Sequence, residues 1–505
     1  MIELPAERQP ATPFPEGLAW HNTDRPLTFA NELKGRVVVL DFWTYCCINC
    51  MHILPHIERL EREFADQPVV VVGVHSAKFD NEAEARNVRT AILRYGIKHP
   101  VVVDDEMTVW GAYGVRAWPT LVFIDAQGGV IGAVPGEMDY KTMSGIVAQL
   151  LADGKAKGVL ADGPPALQPE ESVPAASGQA FPGKVLAAAE QDSIFVADSN
   201  HHRIIEATLS GQVRAVYGSG QEGLADGPAT SARFNNPQGM AFDAAARLLF
   251  VADTDNHALR EINLATKQVR TLAGDGAQHN DRAGGKKGAA QGLNSPWALA
   301  LDGKRIIIAM AGLHQLWAYD RSTGVAGRWV GSGLENVMDG SADRAALAQP
   351  SGLAISEGRL YVADSEVSAI RQVALDSGET STLIGRGLFV FGDRDGPLAQ
   401  SLLQHPLGIA AGAGGALYVA DSYNHKIKRL DLAKREIATI LGSGQTTGEE
   451  RDGAVHLYEP GGISVSDGTL YIADTNHHRI LALDLKTNET RELILTGLPE
   501  VPAAK

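Results

Sequence analysis

The stretch Asp41-Phe-Trp-Thr-Tyr-Cys-Cys-Ile-Asn-Cys50 runs a hydrophobic strand directly into three cysteines, and a helix-compatible pattern begins at those cysteines. Upstream, Val37-Val-Val-Leu-Asp-Phe-Trp43 reads as a buried strand; downstream, a helix is predicted from Cys50 to Phe64. Cys47 therefore falls at a helix N-terminus, where free N–H groups and the helix dipole favour the thiolate that attacks a disulfide. Cys50, one turn further on, is placed to attack a mixed disulfide on Cys47 and release the reduced substrate. Cys47 is the expected nucleophile and Cys50 the resolving thiol of a redox-active disulfide pair.

Working outward, Val69-Val-Val-Val-Gly-Val74, a polar helical stretch over Glu82 to Tyr95, and Thr120-Leu-Val-Phe-Ile124 continue an alternation of strand and helix. The N-terminal part, residues 1–150, thus reads as an α/β domain. All three cysteines lie between positions 46 and 50, too few and too clustered for a structural disulfide framework. Three cysteines this close cannot surround a tetrahedral zinc ion without other ligands, so neither a metal nor a cofactor is expected.

These residues resemble the thioredoxin superfamily. The Asp-Phe-Trp strand precedes the motif, Pro55 follows the second cysteine by five residues, and Tyr113-Gly-Val-Arg-Ala-Trp-Pro-Thr-Leu-Val-Phe123 is similar to the family's cis-proline segment. The resemblance implies a cis bond at Pro119 beside the cysteines, with Pro119 and Trp118 helping to position an extended substrate. It also implies that Asp41 lies beneath the motif and accepts the Cys50 proton through water; a satisfied core carboxylate is the other reading of Asp41. Trp43 and Trp118 are accessory candidates. Cys46 stands where the family usually has an aromatic residue and reads as either a packing residue or a third redox thiol. The segment between Val74 and Val109 resembles the insertion of periplasmic thioredoxin and peroxiredoxin-like branches.

From about Leu151 to Ala180 the chain turns rich in Ala, Pro and Gly, which predicts a linker over 151–180. Residues 181–500 then repeat. Pro182-Gly183, Pro237-Gln-Gly239, Pro296-Trp-Ala298, Pro350-Ser-Gly352, Pro406-Leu-Gly408 and Pro460-Gly-Gly462 open six units spaced 55, 59, 54, 56 and 54 residues apart. Strand ends recur in step, as in Phe195-Val-Ala-Asp198 and Tyr471-Ile-Ala-Asp474, followed by Ser199-Asn-His-His-Arg203 and Thr475-Asn-His-His-Arg479. Such self-similarity predicts an all-β six-bladed β-propeller, since each blade buries its faces against its neighbours. The repeats resemble the NHL repeat family, and the whole arrangement resembles NHL-repeat-containing proteins whose members carry a Cys-Cys-Ile-Asn-Cys motif. Because the Asp and His residues recur in nearly every blade, they read as turn caps and inter-strand contacts rather than as a catalytic ring. The third unit has Ile308-Ala-Met310-Ala-Gly-Leu-His314 in place of the Ala-Asp turn, so its shared turn bonds are expected to be lost.

The formal net charge is −15. Residues 1–150 carry 13 Lys and Arg against 19 Asp and Glu, or −6, leaving −9 for the rest, so acidity is spread over both halves. With no basic patch, nucleic acid is not an expected partner. The N-terminus lacks the pattern of a secretory signal, and no run reaches the ~18 apolar residues of a membrane span. No membrane association and a cytoplasmic location are expected.

The sequence supports three readings. The leading one is a thiol–disulfide oxidoreductase acting on a protein dithiol or disulfide, with a propeller that binds a protein or small-molecule partner. The second is a redox-silent scaffold. The third is a thiol peroxidase, suggested by Thr44-x-x-Cys47, although Leu40 replaces the proline such enzymes place upstream.

Overall fold

Val37–Trp43 (β3) is buried at every position because it lies in the middle of a sheet covered on both faces. It pairs in parallel with Val69–His75 (β4) and antiparallel with Thr120–Ile124 (β6). Gln9–Pro10 (β1), Trp20–His21 (β2), Val101–Val103 (β5) and Gly129–Pro135 (β7) complete a seven-stranded sheet of order β1-β7-β6-β3-β4-β5-β2. Successive residues of β3 point to opposite faces. Val37, Val39 and Val71 meet the helices Ile48–Glu63 (α1) and Tyr140–Lys157 (α4). Val38, Leu40 and Phe42 pack the other face with Val72, Val74 and Val109; Val109 belongs to the short helix Thr108–Ala112 (α3), which follows Ala85–Tyr95 (α2) in the chain. This alternation puts Asp41 and Trp43 on the α1 side of the sheet, the side from which the cysteines approach.

The computed structural model describes residues 5, 7–168, 178–447 and 455–501. Contacts divide the chain into two units, Met1–Val173 and Pro174–Lys505. The expected linker begins later than residue 151: α4 continues to Lys157 and ends at Gly158, which adopts a left-handed conformation. The chain then lies back on the first unit, with Ala161 N–H donating to Gly35 O at 2.8 Å and Leu160 packed into the α1–α4 core. The Ala-, Pro- and Gly-rich composition that suggested a linker here serves a strap over its first part. The rest of the expected linker, residues 169–177, lies outside the described residues.

The second unit is a six-bladed propeller. The innermost strands of the blades are Pro182–Ala188, Pro237–Asp243, Pro296–Asp302, Pro350–Ser356, Gly408–Ala411 and Gly462–Ser466. Each blade is an antiparallel sheet of four or five strands. The repeated aspartate closes each turn: Asp198, Asp253, Asp364, Asp421 and Asp474 accept backbone N–H bonds from Ala180, Asn235, Ala348, Gln404 and Tyr458 at 2.7 to 2.8 Å. The same carboxylates pair with Arg203, Arg260, Arg371, Lys428 and Arg479.

The repeated histidines join one blade to the next. Nδ1 of His202, His257, His314, His425 and His478 accepts the N–H of Asn236, Ser295, Gln349, Glu459 and Phe181; the last of these closes the ring. The third blade therefore keeps its histidine link through His314, while Met310 Sδ takes over as acceptor, from Asn294 N–H at 3.4 Å. On the axis, Lys184 is buried and its ammonium donates to the carbonyls of Ser351 at 2.9 Å, Gly461 at 2.7 Å and Leu407. Those three acceptors match the three donors of an ammonium. The lysine needs small neighbours: a Cβ at Gly462 would stand 2.8 Å from Lys184 Cα.

Candidate active site around the paired cysteines

Cys47 is the N-cap of α1, with extended backbone (φ −80°, ψ 118°) and its carbonyl accepting the first helical N–H bonds, from Cys50 and Met51. That geometry leaves Cys47 half-buried and turns Cys50 into the core, where it is 1% exposed. Both are free thiols, and they hydrogen-bond to each other. The Cys50 thiol is pushed well above its ordinary range, first by burial, then by the bond to Cys47 and by the charges of Cys47 and Asp41. Cys50 thus holds its proton until a base takes it.

Asp41 lies on the neighbouring strand, on the side of the sheet that α1 covers. It is fully buried, neither carboxyl oxygen has a hydrogen-bond partner, and burial raises its pKa to about 7 against a small opposing pull from His99. A satisfied core carboxylate, the bland alternative, would have its oxygens paired. The structure gives Asp41 none.

The Trp118–Pro119 peptide bond is cis. Since Phe42 pairs with Thr120, the register carries Trp118 and Pro119 alongside the turn that follows Trp43. Trp118 stacks near Trp110 and anchors its indole N–H on Ser76 O at 3.0 Å. Trp43 instead points into the sheet–helix interface, edge-on to His75 with ring centroids 4.9 Å apart.

Cys46 is separated from the reactive pair. Its side chain is fully buried, its Sγ faces Thr44 Oγ1 at 3.9 Å, and its N–H donates to Glu82 Oε1 at 2.8 Å. Glu82 also accepts from Lys78 and Phe79 N–H through its other oxygen. The insertion between Val74 and Val109 thereby clamps the cysteine turn. Helix α2 begins at Ala85, after a single 3₁₀ turn over Asp80–Ala83, because the Glu82 side chain is engaged with backbone N–H groups ahead of it.

Glu82, His75 and His99 are site residues that the sequence reading passed over. The one visible signal was the glycine interrupting the Val69–Val74 run, since Gly73 is the register partner of Asp41. His75 is fully buried and burial lowers its pKa to about 3, so it stays neutral. Burial also works against the charged form of His99, but the charge and hydrogen bond of Glu61, with the charge of Asp41, prevail and raise it. Among the described residues no group of three or more His, Cys, Asp or Glu is arranged to hold a metal ion.

Comparison with known proteins agrees with both halves. A thioredoxin-like family model matches residues 35–130, and an NHL repeat model matches 347–373, 403–430 and 457–483. The protein is a thioredoxin-like domain joined to an NHL-repeat propeller. The chain is 44% identical over 97% of its length to Protein SUPPRESSOR OF QUENCHING 1, chloroplastic, of Arabidopsis thaliana, and spans 48% of that protein. It is 38% identical over 94% of its length to human NHL repeat-containing protein 2, covering 70% of it. The chain belongs to the NHL repeat-containing protein 2 family. Over 21% of its length it is also 36% identical to the thiol-disulfide oxidoreductase ResA of Halalkalibacterium halodurans, covering 58% of that protein. Fold and relatives together support a redox role in general.

Proposed function

We propose that this chain is a thiol–disulfide oxidoreductase in which Cys47 attacks and Cys50 resolves. The observation that carries the reading is the contrast within one motif: Cys47 is half-buried at a helix N-terminus, while Cys50 is buried against it with an unpaired carboxyl behind. In the reductive direction the Cys47 thiolate attacks a substrate disulfide, forming a mixed disulfide and expelling one substrate thiolate. Cys50 then yields its proton to Asp41 and attacks Cys47 Sγ, forming the Cys47–Cys50 disulfide and releasing the second substrate thiolate. An external dithiol restores the pair. The two thiols carry the electrons, so this chemistry calls for no cofactor. Pro119 and Trp118 shape the groove for an extended protein substrate.

The propeller's role in this proposal is to bind a protein or small-molecule partner. The proposed location is cytoplasmic, where thiols stay reduced. No helix among the described residues is long and apolar enough to cross a membrane, and one relative is named chloroplastic, so targeting is tested by fractionation. The peroxidase reading is less well supported, because Leu40 stands where such enzymes place a proline. The scaffold reading gains no specific observation.

The decisive experiment uses the full chain and an insulin-disulfide assay. Reduction is expected for the wild type and for Cys46→Ala, while Cys50→Ser accumulates mixed disulfides on Cys47. Absence of both turnover and adducts, with a reductant present, would sink the proposal.

A further inference from the structure

The buried polar atoms of the first unit that lack hydrogen-bond partners gather in one place. Among the described residues this group is Asp41 Oδ1 and Oδ2, Trp43 Nε1, both ring nitrogens of His75 and His99 Nε2. Gly73 makes room for two of them: a Cβ there would lie 3.0 Å from Trp43 Nε1 and 3.3 Å from His99 Nε2. In a parallel pair, register partners point to the same face, so the Asp41 carboxyl shares this side of the sheet with the His99 ring. Buried polar atoms are nearly always paired, so this cluster on one side of the sheet calls for a reason beyond packing.

The other side of the His99 ring leads outward. Nδ1 meets Glu61 Oε2 at 3.3 Å; the His99 side chain is 3% exposed and that of Glu61 27%. Both residues line a cavity of about 230 Å³ with Asn22, Lys98 and Pro100. In the neutral ring Nδ1–H donates to the Glu61 carboxylate and Nε2 is the acceptor, directed inward; taking up a proton there gives the cation that Glu61 and Asp41 stabilise. Cys50, Asp41, His99 and Glu61 thus form a series from the resolving thiol to a cavity wall.

We propose that His99 and Glu61 are a proton path that joins Asp41 to this cavity, carrying outward the proton Cys50 gives up when it resolves a mixed disulfide. The inference rests on the oxidoreductase reading and extends it. Asp41 takes the Cys50 proton, His99 Nε2 receives it with water as the relay, and Nδ1 passes a proton to Glu61. Re-reduction of the Cys47–Cys50 disulfide returns a proton along the same route, which resets the histidine tautomer. His99 and Glu61 are positioning and relay groups; neither touches the reacting sulfurs.

The surroundings are otherwise quiet. From α1 and its N-cap the titratable groups facing this series are Cys47, Cys50 and Glu61, from β4 the neutral His75, and from β2 His21, whose charge acts on His75. Lys98 lies at the cavity. Helix α4 turns apolar residues such as Met143, Val147 and Leu150 to the core, and β6 opposes Asp41 with Leu121.

The test is the titration of the Asp41 carboxyl, followed by isotope-edited infrared or NMR spectroscopy on the reduced full chain, together with the pH profile of disulfide reduction. In Glu61→Gln, an isosteric change at a partly exposed site, and in His99→Gln, the Asp41 midpoint should rise by about one pH unit because the cation beside it is weakened or lost. Reduction at pH 7 should fall about tenfold in both variants and recover as pH is raised, with Glu61→Asp retaining most of the rate. An Asp41 midpoint unmoved in both variants, or a rate lowered equally at every pH, overturns the path. A wild type that reduces no disulfide instead refutes the oxidoreductase reading, and the carboxyl titration then judges the Asp41–His99–Glu61 coupling by itself.

Discussion

Asp364 in the fourth propeller blade and Asp41 in the thioredoxin-like unit are equally buried, yet their surroundings differ completely. Asp364 accepts from Ala348 N–H at 2.7 Å and from Arg371 at 3.0 Å; Asp41 accepts from nothing. The propeller repeats its answer in five blades, each with an aspartate, a backbone donor and a cation, which is Arg in four of them and Lys428 in the fifth blade. In the sixth case Met310 replaces the acid and the cation disappears with it: Gln315 occupies the start of the next strand, bonded to Trp317 Nε1 at 2.9 Å. Repeated, satisfied polarity is structural. Unrepeated, unsatisfied polarity beside a thiol pair is where the proposed chemistry would draw on stability.

The strongest way to break this comparison is to remove a cation from the propeller. Arg371→Leu leaves Asp364 buried without its partner and should destabilise the second unit by about 3–5 kcal/mol. Hydrogen exchange resolved by mass spectrometry can assign the loss to the blades; a change under 1 kcal/mol would show that the repeated pairs are dispensable.

The matching change in the first unit should have the opposite sign. The folded pKa of Asp41 is raised to about 7 from an ordinary 3.8, so its contribution to stability is complete below pH 4 and is lost as pH rises through 7. Asp41→Asn should therefore stabilise the first unit at pH 8.5, by up to about 4 kcal/mol, while making little difference at pH 4. Urea unfolding at the two pH values measures this, and equal stability of variant and wild type at pH 8.5 would contradict the unpaired carboxyl.

The smallest effect belongs to the histidine links. Burial lowers the pKa of His202 to about 4, and its Nδ1 must be unprotonated to accept from Asn236. Its contribution is full above pH 6.5 and is lost as pH falls towards 4. Replacing His202 with Gln should flatten the acid limb of propeller stability by about 2 kcal/mol. An unchanged acid limb would remove the link between blade closure and imidazole neutrality.

How much was legible beforehand follows from distance along the chain. The strand, the two cysteines and the helix start lie within a few residues of one another, so spacing alone placed Cys47 at the start of the helix and Cys50 within it. The six units could be counted because each blade repeats one solution to the same packing problem. Trp118-Pro119 was recognisable by its resemblance to a known segment. Cys46 stayed open because burial is not written into a cysteine: only the fold shows its sulfur turned away to Thr44 and its amide held by Glu82. The third blade was expected to lose its turn bonds, yet His314 preserved one of them, since a backbone conformation can persist after its usual side chain is gone.

By itself, then, the sequence determined the class of both units and the residues of the shared blade turn, all of which depend on local pattern and period. Tertiary structure alone decided that Asp41 lacks partners, that Gly73 admits His99 and Trp43 beside it, and that Lys184 gathers carbonyls from three other blades. The physical reason is common to all three: solvation and hydrogen bonding of a buried group depend on what distant strands bring to it, and no periodicity encodes that meeting.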